Sequence, residues 1–384
     1  MNEIQILEKL VSFPVLGGES NLSIITWIKE YIESYNVTTH LVPNQEGNKA
    51  SLHCRIGPAI DGGTILSGHT DVVPVAGQNW STDPFALTDG GDGKLYARGS
   101  CDMKGFIACC LAALPAMTKA DLATPIYFAF SYDEEIGCLA GPDLVSAINS
   151  HYEEKPKYAI IGEPSMLQPI IGQKGICVLD TQVNGSAGHS SRILQEVSAI
   201  HESARLIIWL ENKMKKLVDD GRIDDRFHPP HSSLHIGQIQ GGIAPNIIAD
   251  KALFYWDVRT IPIDKASGII AEFELHCRER ESELRKIYPE FRIKTIQHHP
   301  PVPPLDTNQN DDVVAFTQSL VNNHTWNTVS YAAEAGQFAD GGFQSIICGP
   351  GSIAQAHRAD EFIEIEQMTK GVEMMHNLIA RSAK

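Results

Sequence analysis

Pro125-Ile126-Tyr127-Phe128-Ala129-Phe130-Ser131-Tyr132-Asp133-Glu134-Glu135 is an apolar, aromatic run that stops on three consecutive acids. Its first eight residues read as a short buried strand. The acids that follow are a poor choice for stability, because adjacent like charges near a core are costly unless something neutralises them. Two readings stand side by side at this point. The pair Glu134-Glu135 is either a solvated strand end, or a site where a metal neutralises one carboxylate and the other works as a general base.

The same design recurs on both sides of this stretch. Thr64-Ile65-Leu66-Ser67 is a strand ending at Gly68-His69. Tyr158–Ile161 ends at Gly162-Glu163-Pro164, and Ser345–Cys348 ends at the turn Gly349-Pro350-Gly351. Helical periodicity runs through Ser20–Tyr35, Met103–Met117 and roughly Ile365–Arg381. Strands alternating with helices predict an α/β domain with a mainly parallel sheet. Sites in such sheets form beyond the carboxyl ends of the strands, where His69, Glu134-Glu135 and Glu163 all fall.

The middle of the chain reads differently. Strand patterns at Ile176–Val183, Ser233–Gln240, Leu253–Thr260 and Phe291–Ile296 are interleaved with helical patterns at Ala199–Val218 and Gly268–Tyr288. The order β-α-β-β-α-β is that of a ferredoxin-like α+β unit. The expected organisation is therefore a first domain formed by residues 1–178 and 294–384, interrupted by an inserted domain at 179–293.

Composition narrows the function classes. The 384 residues are 43% hydrophobic and 20% charged, which suits two globular domains. A net charge of −16 disfavours nucleic acid and anionic membrane surfaces as partners. No run approaches a membrane span, and Met1–Phe13 carries acids in place of a basic, signal-like start. The eight cysteines form no CxxC pair. Free thiols in a reducing cytoplasm, and a cytoplasmic protein, are the expectation.

The chemistry rests on a set of residues, each weak alone. In His69-Thr70-Asp71, an imidazole can ligate zinc through one nitrogen while Asp71 orients the other. Asp102, ahead of Met103, is either a helix N-cap or a metal bridge. Glu163 and His357 complete two histidines and three carboxylates, a mixed N/O inventory suited to two zinc ions, with cobalt or manganese also tolerated. One carboxylate must bridge if the metals are as close as two-metal hydrolases require. His189, in Gly185-Ser186-Ala187-Gly188-His189-Ser190-Ser191, is a candidate donor to a developing oxyanion. His228, His231, His235, His298 and His299 read as surface or packing residues. There is no dinucleotide-binding glycine motif, P-loop or nucleophile elbow.

Gly68-His69-Thr70-Asp71-Val72-Val73-Pro74, Gly99-Ser100-Cys101-Asp102-Met103-Lys104-Gly105, Asp133-Glu134-Glu135, Ile161-Gly162-Glu163-Pro164, Gly188-His189-Ser190-Ser191 and Gln355-Ala356-His357 occur in this order. Together they resemble the M20 family of metallopeptidases and amidohydrolases. That resemblance implies one zinc on His69, Asp102 and Glu163 and another on Asp102, Glu135 and His357. It makes Asp102 the bridge, Glu134 the general base and acid, and Asp71 the group that orients His69. The inserted domain would be a lid that also forms a homodimer, with His189 reaching an active site. Asn246 and Arg259 match family positions that hold a substrate carboxylate.

Gly105-Phe106, Leu167-Gln168-Pro169, Ala333-Glu334-Ala335 and Gly349–His357 look like the acetylornithine deacetylases within that family. This implies a small-molecule substrate, N-acetylornithine, and a place in arginine biosynthesis, with Glu334 facing the substrate amine. Other N-acyl amino acids, dipeptides or succinyl-diaminopimelate are the alternative substrates, and a non-catalytic binding homologue is the alternative of another class. Arg192–Ala199 departs from the family, which has a proline and a later Gly-x-Asn-Ala there.

Overall fold

The computed structural model describes residues 1–384, which form two compact units. The first comprises Met1–Gln173, Leu305–Thr328 and Ala333–Lys384, and the second Lys174–Pro304 with Val329–Ala332. The boundaries therefore lie at 173/174 and 304/305, five and eleven residues outside the expected 178/179 and 293/294. The physical reason is pairing. Gly175–Asn184 bonds along its whole length to Lys251–Thr260, and Ile176 exchanges both main-chain hydrogen bonds with Val302.

The first unit is built on one mixed sheet. Its main path runs Thr39–Pro43, Ala50–Ile56, Ile126–Ser131, Thr64–His69, Tyr158–Pro164, Gln344–Gly349, Ile170–Gln173 and Leu305–Asp306. The four central strands, Ile126–Ser131, Thr64–His69, Tyr158–Pro164 and Gln344–Gly349, are mutually parallel, and the strands outside them are antiparallel. These four are the apolar runs recognised in the sequence. Parallel strands buried on both faces need side chains that are apolar throughout, and Ile126–Ser131 and Thr64–His69 are buried at every position.

The helix Lys104–Met117 is likewise apolar on nearly all sides and is packed between the helices Glu3–Val11 and Ile365–Ser382. It lies close to the sheet because Gly162 has no side chain. A Cβ there would sit 2.0 Å from Cγ of the buried Phe106 ring. The close approach brings the start of this helix, and Asp102 just before it, up to the strand ends. Glu3–Val11 itself begins with a reciprocal cap between Asn2 and Gln5.

The second unit is a four-stranded antiparallel sheet in the order Ser233–Gly241, Lys251–Thr260, Gly175–Asn184, Arg292–Gln297. With helices Ala199–Asp219 and Ala266–Leu284 it has the expected β-α-β-β-α-β sequence. Leu179, Leu206, Phe254, Trp256 and Phe273 form its core. No helix of the chain is long and apolar enough to cross a membrane. All eight cysteines are free thiols and buried.

Candidate active site

Each of the four parallel strands delivers residues to the same end of the sheet. His69 is the last residue of its strand and is 1% exposed. Ile126–Ser131 runs on into the turn Asp133–Cys138, in which Asp133 and Cys138 both adopt left-handed backbone (φ 55° and 52°). This conformation turns Glu134 and Glu135 back toward His69. Glu163 is the penultimate residue of its strand, at 4% exposure. His357 follows the fourth strand on a loop and is the outlier, its side chain 58% exposed.

Asp102 ties the two histidines together. His69 Nε2 lies 3.2 Å from its Oδ1, and His357 Nε2 lies 3.6 Å from its Oδ2. His69 Nε2 is also 3.8 Å from Glu163 Oε1, and His357 Nε2 is 3.1 Å from Glu135 Oε2. Ligands bound at about 2.0–2.1 Å around tetrahedral zinc stand about 3.3 Å apart, so these spacings suit two metal positions sharing one carboxylate through its two oxygens. Donor atoms of His69, Asp102 and Glu135 lie within 4.8 Å of one another, as do those of His69, Glu134 and Glu163.

The electrostatics suit cations. Burial pushes the carboxyls of Glu134 and Glu163 well above their usual range, reinforced by the neighbouring acids, and pushes Glu135 up as well. Burial opposes protonation of His69, but Asp102, Glu134, Glu163 and Asp71 outweigh it and hold its pKa well above normal. Asp102 is held below the usual carboxylate range: burial would raise it, but the two histidines prevail. Four carboxylates at this depth, Asp102, Glu134, Glu135 and Glu163, are matched in formal charge by two divalent ions.

Several residues take roles other than those first read from sequence. Asp102 is not a helix cap: the helix starts after Met103, no side chain caps it, and the Asp102 carboxylate faces the histidines. Asp71 sits beneath His69, yet His69 Nδ1 makes its 2.9 Å hydrogen bond to the Asp71 main-chain carbonyl, with the carboxylate 3.7 Å away. That carboxylate instead accepts from the backbone N–H groups of Glu134 and Glu135, at 3.3 and 3.2 Å. Glu334 is 1% exposed and accepts from Ser131 Oγ through Oε2, while its Oε1 has no donor. His189, Asn246 and Arg259 belong to the second unit. There His189 and Asn246 are neighbours, with Ser190 N donating to Asn246 O at 3.0 Å, while Arg259 stands apart beside Asp257.

Sequence reasoning passed over four supporting residues. Cys138 donates its thiol hydrogen to Glu134 Oε1 at 3.3 Å. Arg98, Glu361 and Gln78 form a network around the backbone of Asp102 and His357. Arg98 and Glu361 lie just outside the motifs at Gly99–Gly105 and Gln355–His357, and nothing in either motif links the two.

Residues 65–381 match the model of peptidase family M20/M25/M40. The chain belongs to the M20 peptidase family. As an M20 peptidase it is a metal-dependent hydrolase of amide or peptide bonds. Solved structures with the same fold include an M20 family metallo-carboxypeptidase from Sulfolobus solfataricus, at 18% identity and TM-score 0.78, over 99% of this chain and 98% of that one. A di-peptidase from Saccharomyces cerevisiae matches at 15% identity and TM-score 0.75, over 98% and 95%. A dinuclear metal-binding M20 peptidase from Bacillus subtilis matches at 14% identity and TM-score 0.63, over 99% and 97%.

Proposed function

We propose that this M20 peptidase is a two-zinc amidohydrolase that removes the acetyl group from N-α-acetyl-L-ornithine. The observation that carries the two-metal reading is Asp102 offering opposite oxygens to His69 and His357, with Glu134, Glu135 and Glu163 around them. His69, Asp102 and Glu163 would hold one ion, and Asp102, Glu135 and His357 the other. Bound there, the metals supply Lewis-acid polarisation of the acyl carbonyl and acidify water. Glu134, half-buried and oriented by Cys138, takes a proton from the attacking water. It returns that proton to the leaving nitrogen as the C–N bond breaks, giving ornithine and acetate. Asp71 fixes the geometry by holding the backbone of Glu134 and Glu135.

Acetylornithine as substrate rests on the Ala333-Glu334-Ala335 and Gly349–His357 segments and on the donorless oxygen of Glu334. A carboxylate acceptor buried beside the site suits an ammonium group on the substrate. Asn246 and Arg259 would hold the substrate carboxylate, and His189 the acyl oxygen. A cytoplasmic homodimer in arginine biosynthesis completes the reading. Its support is the edge strand Ser233–Gly241, which has no lysine, arginine, acidic residue or proline and leaves Ile239 half exposed, the kind of edge that pairs with a second copy. Turnover of acetylornithine, succinyl-diaminopimelate, N-acetylmethionine and a dipeptide, with and without chelator, tests the substrate. Preference for any of the other three overturns it, as does a Glu334→Gln enzyme with unchanged KM for acetylornithine.

A further inference from the structure

His357 is unlike the other metal-facing residues. Its side chain is 58% exposed and its backbone is left-handed at φ 63°, so neither packing nor intrinsic preference places it. Its main chain, however, is tied down. Gln78 Nε2 donates to the His357 carbonyl at 2.9 Å, and Gln78 Oε1 accepts from Arg98 Nη2 at 2.7 Å and from Trp80 Nε1 at 3.1 Å. Arg98, 1% exposed, pairs through Nη1 with Glu361 Oε2 at 2.7 Å. The other oxygen of Glu361 accepts from the backbone N–H groups of Cys101 and Asp102, at 2.9 and 3.0 Å. Asp360 adds a further tie, accepting from Ser81 N and Oγ at 2.7 and 2.8 Å.

One buried ion pair thus reaches both ligands, Asp102 through Glu361 and His357 through Gln78. We infer that Arg98, Glu361 and Gln78 are positioning residues that assemble the second metal position, setting His357 against the Oδ2 side of Asp102. The two branches differ in consequence. Of the two ligand-bearing segments, Gln78 bonds directly only to the His357 loop and reaches Asp102 only through Arg98 and Glu361, so it acts chiefly on the second position. Glu361 holds the backbone of the bridging Asp102, so it governs both. This inference rests on the two-metal reading above.

The test is zinc affinity of the full-length chain, measured by chelator competition with Zn²⁺ alone, beside the zinc count and the melting curve. Partners behind metal ligands are worth about 10–100-fold in affinity. Gln78→Ala, at a half-buried position, is expected to keep the wild-type fold and first zinc and to bind the second at least about tenfold more weakly. Glu361→Gln is expected to weaken both zincs. Should that variant fail to fold, because it strands a buried guanidinium, Gln78→Ala decides alone. Two wild-type affinities in folded Gln78→Ala overturn the inference, and so does equal weakening of both. A wild-type chain holding fewer than two zincs overturns the two-metal reading itself, before any variant is made, and the inference falls with it.

Discussion

Lys49→Met removes the one cation that faces Asp133, the residue whose left-handed turn delivers Glu134 to the site. Both partners are largely buried, at 10% and 6% side-chain exposure, and Asp133 also accepts from Gly18 N at 2.8 Å. Breaking a buried pair by deleting one member costs about 3–5 kcal/mol, because the survivor is left charged and desolvated. The remaining Gly18 hydrogen bond and the residual exposure of Lys49 place this case at the low end, about 3 kcal/mol. That is a large share of the roughly 5–15 kcal/mol that separates folded from unfolded domains. Asp133→Asn in the same chain neutralises the orphan, and asparagine tolerates left-handed backbone, so the double variant is expected to recover about 2 kcal/mol. Urea unfolding of wild type, both single variants and the double variant closes the cycle, with kcat measured on each. Lys49→Met is expected to lower kcat more than it alters KM, since it frees the turn that carries Glu134. A coupling below about 0.5 kcal/mol, the limit expected of independent sites, would refute the reasoning.

Two further expectations concern single residues. Burial, helped by the charges of His40 and His151, holds the His53 imidazole down to about 4, against 6.5 when exposed. The unfolded chain therefore binds more protons between those values. The contribution is full above pH 6.5 and is lost as pH falls toward 4, at most about 3 kcal/mol. Urea midpoints at pH 7.5 and 5 should differ less in His53→Gln than in wild type, and an equal difference would contradict this. Cys138→Ala, which deletes the thiol donor to Glu134, is expected to lower kcat about fivefold with little change in KM, a hydrogen bond of about 1 kcal/mol. Cys138→Ser should recover part of the loss. Wild-type turnover in Cys138→Ala would remove the thiol from the account.

Much of the architecture was legible because buried parallel strands are apolar along their whole length and end sharply. Thr64–His69, Ile126–Ser131, Tyr158–Pro164 and Gln344–Gly349 announce themselves in this way, and each ends at or just before site residues. The outer strands Thr39–Pro43 and Ala50–Ile56 carry polar residues, His40 and Arg55 among them, and did not stand out. Asp102 invited a capping reading because aspartate before a helix commonly caps it. The family resemblance implied a bridge instead, and in the fold this carboxylate points across to two histidines. Arg98 and Glu361 are 263 residues apart, so no local pattern could pair them. Asp71 lies beside His69, but the choice between its carbonyl and its carboxylate is a matter of tenths of an ångström that spacing cannot give.

Turnover of N-α-acetyl-L-ornithine by wild type and Glu134→Ala, compared at equal zinc content, tests the account most directly. The account predicts chelator-sensitive release of ornithine and acetate by the wild type. It predicts two zincs retained in Glu134→Ala with turnover at least about a hundredfold lower, the scale of general acid–base catalysis. Comparable turnover in the variant with both zincs bound would contradict Glu134 as the proton carrier. No release by zinc-loaded wild type would contradict acetylornithine as the substrate.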